Sequence, residues 1–486
     1  MSDMSALLKR WEPVIGLEVH AQLSTTTKMF CGCRNAYGDQ PNSHTCPTCL
    51  GLPGALPVAN EQAVLFALKL GLAVGSEITQ FSRFARKNYF YPDLTKGYQI
   101  SQYDEPLCSG GSVTIRWEGR SQEIPLTRIH IEEDAGKSIH DEKGDGTRVD
   151  FNRCGVPLVE IVSEPVIRSP QEAKAYLTRL KQILEYLNIC DCNMEEGNLR
   201  CDANISIRPR RETKFGVKTE MKNINSFRGV ERGLMSEIFR QAEVLDGGGE
   251  VEQVTLLWNE VEQKAEVMRS KEEAHDYRYF PDPDLVPLSV SESDLEEVRS
   301  FLVELPHERE ERFVTDYSLK EDDAVILASE TPLSAYFEAT IEAGAPASTA
   351  AKWILGEVLS IVKEEGVSME SFPASPKSLV GLLQSVIEGE VTVVTGKEVL
   401  REMVSSGLSA SEIIEKEGLA QVSDASALSE TVAKVLEENP DELKRYRNGK
   451  KALFGFFMGE VMKASGGKSD PKVTQKLLTE ALNGID

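Results

Sequence analysis

The sequence predicts an α+β protein in which an antiparallel-sheet cradle domain is followed by an all-helical domain and a small helical tail domain. Three observations carry this expectation. Up to about residue 290, apolar and polar residues alternate with a period of two between Gly, Pro and aromatic loops. Beyond that point strand patterns almost vanish, and one amphipathic helix follows another. Between the two lies Tyr279-Phe280-Pro281-Asp282-Pro283-Asp284-Leu285-Val286-Pro287, whose three prolines block helix continuation and deny a strand its donors. The expected domains are residues 1–290, 291–410 and 411–486, since a chain of 486 residues exceeds what one core usually serves.

In the first half, Val14–Leu23, Ile124–Glu133, Val156–Glu164, Leu199–Arg208 and Val217–Ile224 each separate an apolar face from a polar one. They read as strands of a sheet with one wet side. In the first, Ile15, Leu17, Val19, Ala21 and Leu23 oppose Glu18, His20 and Gln22. Ser169-Pro170-Gln171-Glu172 supplies an N-cap, a first-turn proline and a capping-box Glu for a helix that buries Tyr176, Leu177, Leu180, Ile183, Leu184 and Leu187. A second helix starts at Ser226 and stops at Gly247-Gly248-Gly249. After Val290 come Asp294–Leu305, Ala351–Glu365, Ser375–Glu388 and Asp424–Glu438. The tail ends in a basic stretch: Lys444, Arg445, Arg447, Lys450 and Lys451, then Lys463, Lys468, Lys472 and Lys476.

Composition limits the function. With 54 Lys and Arg against 78 Asp and Glu the net charge is −24, which repels a polyanion, so any nucleic-acid contact needs a locally basic surface. There is no long apolar run and no secretory leader, so a soluble, cytoplasmic protein with no membrane partner is expected. Such a chain keeps its nine cysteines reduced, and a cluster of thiols then points to metal. Cys31-Gly32-Cys33 and Cys46-Pro47-Thr48-Cys49 form two knuckles that can close four thiolates around a structural zinc; His44 is a spare ligand beside a complete shell. Cys108, Cys154, Cys190, Cys192 and Cys201 read as packing.

The wet strand faces carry the chemistry. Glu18 and His20 sit two apart on one strand, side by side at about 7 Å. Other strands bring His130, Glu132, Glu133, Asp134, Glu160, Asp202 and Glu220. Carboxylates at this density repel unless cations neutralise them, and oxygen ligands with one imidazole suit Mg²⁺. Parity at Glu132-Glu133-Asp134 stays open: a straight strand groups His130 with Glu132, whereas a bend presents Glu133. Gly136-Lys137-Ser138 imitates the end of a phosphate-binding loop, but Ile131 stands where that loop needs Gly. The loop from Arg86 to Asp93, continued by Gly97–Gln102, mixes cations, aromatics and amides that can cradle phosphate and stack a base. No nucleophile elbow or Ser-Gly-rich amidase stretch is present.

Val14-Ile15-Gly16-Leu17-Glu18-Val19-His20, with Arg86–Asp93, His130–Ser138, Pro157–Pro165, Met194–Ile207 and Asp276–Pro281, closely resembles the B subunit of the tRNA-dependent amidotransferases over essentially the whole chain. That resemblance implies a cradle with a kinase site, a helical domain and a tRNA-recognising tail. It implies Mg²⁺ held by His20, Glu133 and Glu160, a second cation near Glu18, Asp202 and Glu220, and Lys87 approaching the phosphate of ATP. Cys31, Cys33, Cys46 and Cys49 would place the chain in a zinc-containing subset. The implied reaction is ATP-dependent phosphorylation of the side-chain carboxylate of Glu-tRNA(Gln) or Asp-tRNA(Asn). Amidation follows, with ammonia from a glutaminase A subunit braced by a small C subunit in a heterotrimer. Two rivals remain: a non-catalytic zinc-stabilised tRNA-binding scaffold, and a stand-alone metal-dependent phosphohydrolase.

Overall fold

The structure, a computed structural model, describes the whole chain except residues 1–3, 141–145, 261, 271–276, 421–424, 466–468, 470 and 485–486. Asp276, Asp424 and Lys468, which enter the sequence expectations, fall outside the described residues. Contacts divide the chain into two compact units, Met1–His307 and Glu308–Asp486.

The first unit is built on a ten-stranded sheet. Its elements used below are β1 Trp11–Gln22, β2 Ala85–Asn88, β3 Tyr98–Ser101, β4 Arg120–Glu133, β5 Pro157–Ser163, β6 Leu199–Pro209, β7 Thr219–Ile224, β8 Val254–Asn259 and β9 Lys264–Ser270, with helices α1 Pro170–Tyr186 and α2 Phe227–Asp246. The central order is β9-β8-β7-β6-β1-β5-β4. β1 lies antiparallel between β5 and β6, its apolar residues Ile15, Leu17, Val19 and Ala21 all fully buried. That side joins one core with Val159, Ile161, Ala203 and Ile205 and with Tyr176, Leu180, Leu184, Val230, Leu234 and Ile238 from α1 and α2. Both helices start as their sequences dictate: the side chain of Ser169 accepts from Glu172 N–H, and that of Ser226 from Gly229 N–H. The opposite face of the sheet is left to polar residues.

Three features depart from the sequence expectation. The pairing of β7 with β8 is parallel, so the sheet is not wholly antiparallel. β8 and β9 lack clean alternation, Leu256 being buried and the adjacent Leu257 exposed, which hides them from a period-two reading. The Arg86–Asp93 stretch is not all loop: Ala85–Asn88 is a strand, paired with β3 on one side and with Phe280–Pro281 on the other. Through that second pairing the proline-rich segment is stitched to the cradle. Arg86 Nε donates to Asp282 at 2.8 Å, Asp282 N–H to Phe84 O at 2.8 Å, and Val290 N–H to Gln80 O at 2.9 Å. Leu295, Val298 and Leu305 join the first core, so the first compact unit runs on to His307 instead of ending near residue 290.

The second unit contains helices only among its described residues, apart from short 3-10 and π turns. It has two apolar cores, one from Phe313 to Ile414 and one from Val432 to Leu482. Among the described residues no helix is long and apolar enough to cross a membrane.

Two glycines test how tightly these cores are made. A Cβ on Gly233 of α2 would fall 2.5 Å from Met221 Sδ beneath the sheet, whereas one on Gly381, in the helix Pro376–Ile387, would meet nothing within 4 Å. Gly233→Ala should therefore destabilise the first unit by about 1–3 kcal/mol, and Gly381→Ala should stabilise the second by about 0.5–1 kcal/mol. Urea unfolding midpoints measure both, and equal effects of one sign would contradict the packing described.

Candidate active site

The sheet register assembles the polar face. His20 of β1 stands opposite Glu160 of β5, which stands opposite His130 of β4; Glu18 stands opposite Asp202 of β6, and Asn204 opposite Glu220 of β7. Apart from Asn204, these residues, tens to hundreds of positions apart, thus line a cavity of about 460 Å³ that Lys87 and Tyr279 also enter. His20 Nε2 is 3.3 Å from a Glu160 oxygen and 3.4 Å from a Glu132 oxygen, and His130 Nε2 is 3.4 Å from Glu160. The donor atoms of His20, Glu132 and Glu160 all lie within 4.8 Å of one another. One nitrogen and two carboxylate oxygens converging from three strands could hold a metal ion.

This resolves the parity question against one expectation. β4 runs straight through Glu133, opposite Pro157, before the chain turns, so alternation puts Glu132 on the face of His130 and His20. Glu133 points the other way and does not join His20. Its carboxylate takes the Lys96 ammonium at 2.7 Å and the Ile100 N–H at 3.0 Å. Asp134 is likewise committed, to Arg200 at 2.8 Å and Gln22 at 3.0 Å.

Charge in the cavity is unevenly shared. Burial disfavours the His20 cation, but its hydrogen bond to Glu160 and the charges of Glu160 and Glu132 outweigh that and raise it to about 9. For His130 burial dominates over Glu160 and the group falls to about 4. Burial also opposes the Glu160 anion, yet His130 and His20 hold it well below the usual carboxylate range. Glu18 is pushed up by burial and by Glu160, Glu220 and Asp202. At the place where a second cation was expected, Lys222 bridges Asp202 at 2.9 Å and Glu220 at 3.5 Å. The Lys222 ammonium is therefore the resident cation of that acidic pair. It sits two residues from Glu220 on the same strand, so alternation turns both side chains to one face, while the pairing with Asp202 depends on the register with β6. Lys87 also lines the cavity, its Nζ 5.0 Å from the Tyr277 ring.

The four knuckle cysteines form a separate cluster whose sulfurs lie within 4.8 Å of one another. Cys49 Sγ accepts from Cys46 N–H at 3.1 Å and lies 3.8 Å from Lys28 Nζ. A hydrogen bond from the Cys31 thiol, the Cys46 N–H and the Lys28 charge bring Cys49 down to about 4, while Cys31 is pushed up. Lys28 is fully buried and also donates to His44 O at 2.7 Å and Phe151 O at 3.1 Å, tying the knuckle to the cradle. A sulfur tetrad with a cationic neighbour fits a thiolate-loving ion such as zinc. The His44 ring is engaged with Asp39 at 2.7 Å and stays outside the tetrad. The remaining five cysteines are buried.

In the tail, Lys444, Arg445, Arg447, Lys450, Lys451, Lys463 and Lys476 are exposed around the small core of Tyr446, Phe457, Val461 and Leu478, and Lys451 Nζ lies 4.2 Å from the Tyr446 ring. The side chain of Lys472, like Lys468, lies outside what the structure describes.

The family model described as the GatB/GatE catalytic domain matches residues 13–296, and that described as the GatB domain matches residues 335–482. The B subunit of the aspartyl/glutamyl-tRNA(Asn/Gln) amidotransferase of Thermodesulfovibrio yellowstonii is 50% identical over 473 residues, covering 97% of this chain and 99% of the relative. The protein of the same name from Moorella thermoacetica is 50% identical over 474 residues, covering 97% and 100%. That from Syntrophotalea carbinolica is 49% identical over 478 residues, covering 98% and 100%. Matched from the polar sheet face to the basic tail, the chain belongs to the GatB family of amidotransferase B subunits.

Proposed function

We propose that this chain is the ATP-consuming subunit that turns Glu-tRNA(Gln) into Gln-tRNA(Gln) and Asp-tRNA(Asn) into Asn-tRNA(Asn). The observation that carries the reading is the convergence of His20 with the buried Glu132 and with Glu160, beside a cavity that His20, Glu160 and Lys87 line. A carboxylate is a poor acyl donor because its leaving group would be oxide. In the reaction a side-chain carboxylate oxygen takes the terminal phosphoryl of ATP and ADP leaves. Ammonia nitrogen then bonds to the acyl carbon, the C–O bond to phosphate breaks, and the nitrogen sheds a proton to give the amide.

His20, Glu132 and Glu160 would hold Mg²⁺, which supplies neutralising charge where two anions must meet. Glu132 takes the place that family resemblance assigned to Glu133. Lys87 and Arg128 add positive charge to the wall where phosphate oxygens arrive. Lys222 keeps Asp202 and Glu220 neutralised, so that Glu18 faces a smaller repulsion. Cys31, Cys33, Cys46 and Cys49 would hold zinc as a structural ion. The sequence carries no amidase motif, so ammonia comes from a glutaminase A subunit, with a small C subunit completing the assembly.

Three outcomes test this. In the assembled enzyme His20→Ala or Glu132→Gln should lower ATP-dependent amidation by at least ~100-fold, a few kcal/mol of lost charge stabilisation, while glutaminase activity persists. Glu133→Gln should act through its Lys96 pair and leave Mg²⁺ affinity near that of the parent. Retained amidation in His20→Ala would favour the scaffold reading; ATP hydrolysis equally fast without tRNA would favour the phosphohydrolase. Metal analysis of unchelated protein should give about one zinc per chain, and Cys49→Ser should lose zinc and melt earlier with Mg²⁺ affinity unchanged. Truncation before Ser411 should weaken tRNA binding in a salt-sensitive way, because the exposed tail cations meet a phosphate backbone; equal titrations of intact and truncated assemblies would assign recognition elsewhere.

A further inference from the structure

The phosphoryl-transfer reading gives His130 no task, although its ring lies in the middle of the acidic cluster. It is 3% exposed, stands opposite Glu160 in the strand register and lines the cavity. A buried imidazole among carboxylates invites the role of a further metal ligand, since a neutral ring nitrogen with a free lone pair is what a metal ion takes. The partners of this ring exclude that role and give it another.

Arg128, His130 and Glu132 occupy every second position of β4, so the strand sends all three to one face. Arg128 Nε donates to His130 Nδ1 at 3.3 Å. A guanidinium has donors only and does not give up its proton, so Nδ1 must offer the lone pair. The network therefore assigns the ring proton to Nε2. That nitrogen faces two carboxylates, 3.4 Å from Glu160 Oε2 and 3.9 Å from Glu132 Oε2. Arg128 also reaches the other oxygen of Glu160, its Nη2 3.6 Å from Oε1. Arg128, His130 and Glu160 thus close a loop of contacts: guanidinium to imidazole, imidazole to one carboxylate oxygen, and the second carboxylate oxygen back to the guanidinium.

The one lone pair of the neutral ring is spent on Arg128, which leaves His130 nothing with which to ligate an ion. His20 is the imidazole whose nitrogen converges with Glu132 and Glu160. A neutral N–H in the position of His130 does two things that neither a ligand nor a cation would do. Its positive end stands between two carboxylates that repel each other, yet it adds no net charge to compete with a divalent ion. Together with Arg128 it also fixes the plane of the Glu160 carboxylate, so that less order has to be imposed when the ion binds.

Resting on the reading in which His20, Glu132 and Glu160 hold Mg²⁺, we propose that His130 is a positioning residue of that site. Locked by Arg128 as the Nε2–H tautomer, it orients Glu160 and separates it from Glu132, and it is not itself a ligand.

The test uses the assembled enzyme without nucleotide and Mn²⁺ as the probe ion. Electron spin echo spectra of the bound Mn²⁺ should show the nitrogen of one imidazole in the parent, absent in His20→Ala and retained in His130→Phe. Titration should give a Mn²⁺ Kd raised about 10–100-fold in His130→Phe, the usual loss when an outer partner of a metal ligand is removed. His130→Gln, which keeps an N–H donor at similar reach, should recover most of that affinity. Two imidazole nitrogens in the parent, one of them lost in His130→Phe, would make His130 a ligand and overturn the proposal. A Kd unmoved in His130→Phe, or raised equally in His130→Gln, would overturn it as well, because the N–H would then have no part in holding the ion. The parent spectrum needs no variant and decides the question of ligation even if His130→Phe fails to fold. A Kd and spectrum unchanged in His20→Ala would sink the Mg²⁺ reading itself, whereas failure confined to the His130 variants leaves that reading standing.

Discussion

Like-charge repulsion across one face of a sheet is the constraint around which this molecule is arranged. Sheet pairing sets Glu18 beside Asp202 and His20 beside Glu160, with Glu132 and Glu220 close by, in a setting where Glu132, Glu160 and Glu220 are each less than a tenth exposed. Unpaired carboxylates at such burial are costly. The fold meets the cost by bringing cations to the same face: Lys87, Arg128, and the Lys222 ammonium between Asp202 and Glu220. Around His20, Glu132 and Glu160 the donor atoms lie close enough together that they could hold a metal ion.

The same logic explains why Glu132 and Glu133, adjacent in sequence, have separate lives. Alternation sends one carboxylate to the face of His20 and the other to Lys96, and each meets its own positive partner. Asp134, past the end of the strand, is satisfied by Arg200 and Arg153. Three successive acids thus serve three environments, and only one adds to the acidic cluster. Alternation along a straight strand accounts for the difference from the ligand set drawn by family resemblance.

The knuckle and the Tyr279 wall of the cavity stand at the edges of this face and depend on segments far away. Lys28 ties the sulfur tetrad to Phe151, and the proline-rich segment after residue 279 adds a short strand against β2. The proline-rich segment that marks the boundary in the sequence therefore contributes Tyr279 to a wall of the cavity. Its prolines do break helix and ladder, as their chemistry requires, but they do so on the surface of the cradle and not between domains.

The sequence by itself determined the strand faces, the two capped helices, the spacing of the four thiols and the presence of Glu18, His20 and Glu160 on polar strand faces. These are local properties: period-two alternation, capping chemistry and the spacing of thiols are written within a few residues of one another. It also carried enough motif for the family to be legible. Only the tertiary structure decided which carboxylate of the Glu132-Glu133 pair meets His20, that Lys222 occupies the second acidic pair, and that Tyr279 comes to the cavity wall. Each of these depends on register between strands or on contact between segments up to two hundred residues apart. A one-residue slip in that register would turn every side chain to the other face, and no local pattern can fix it.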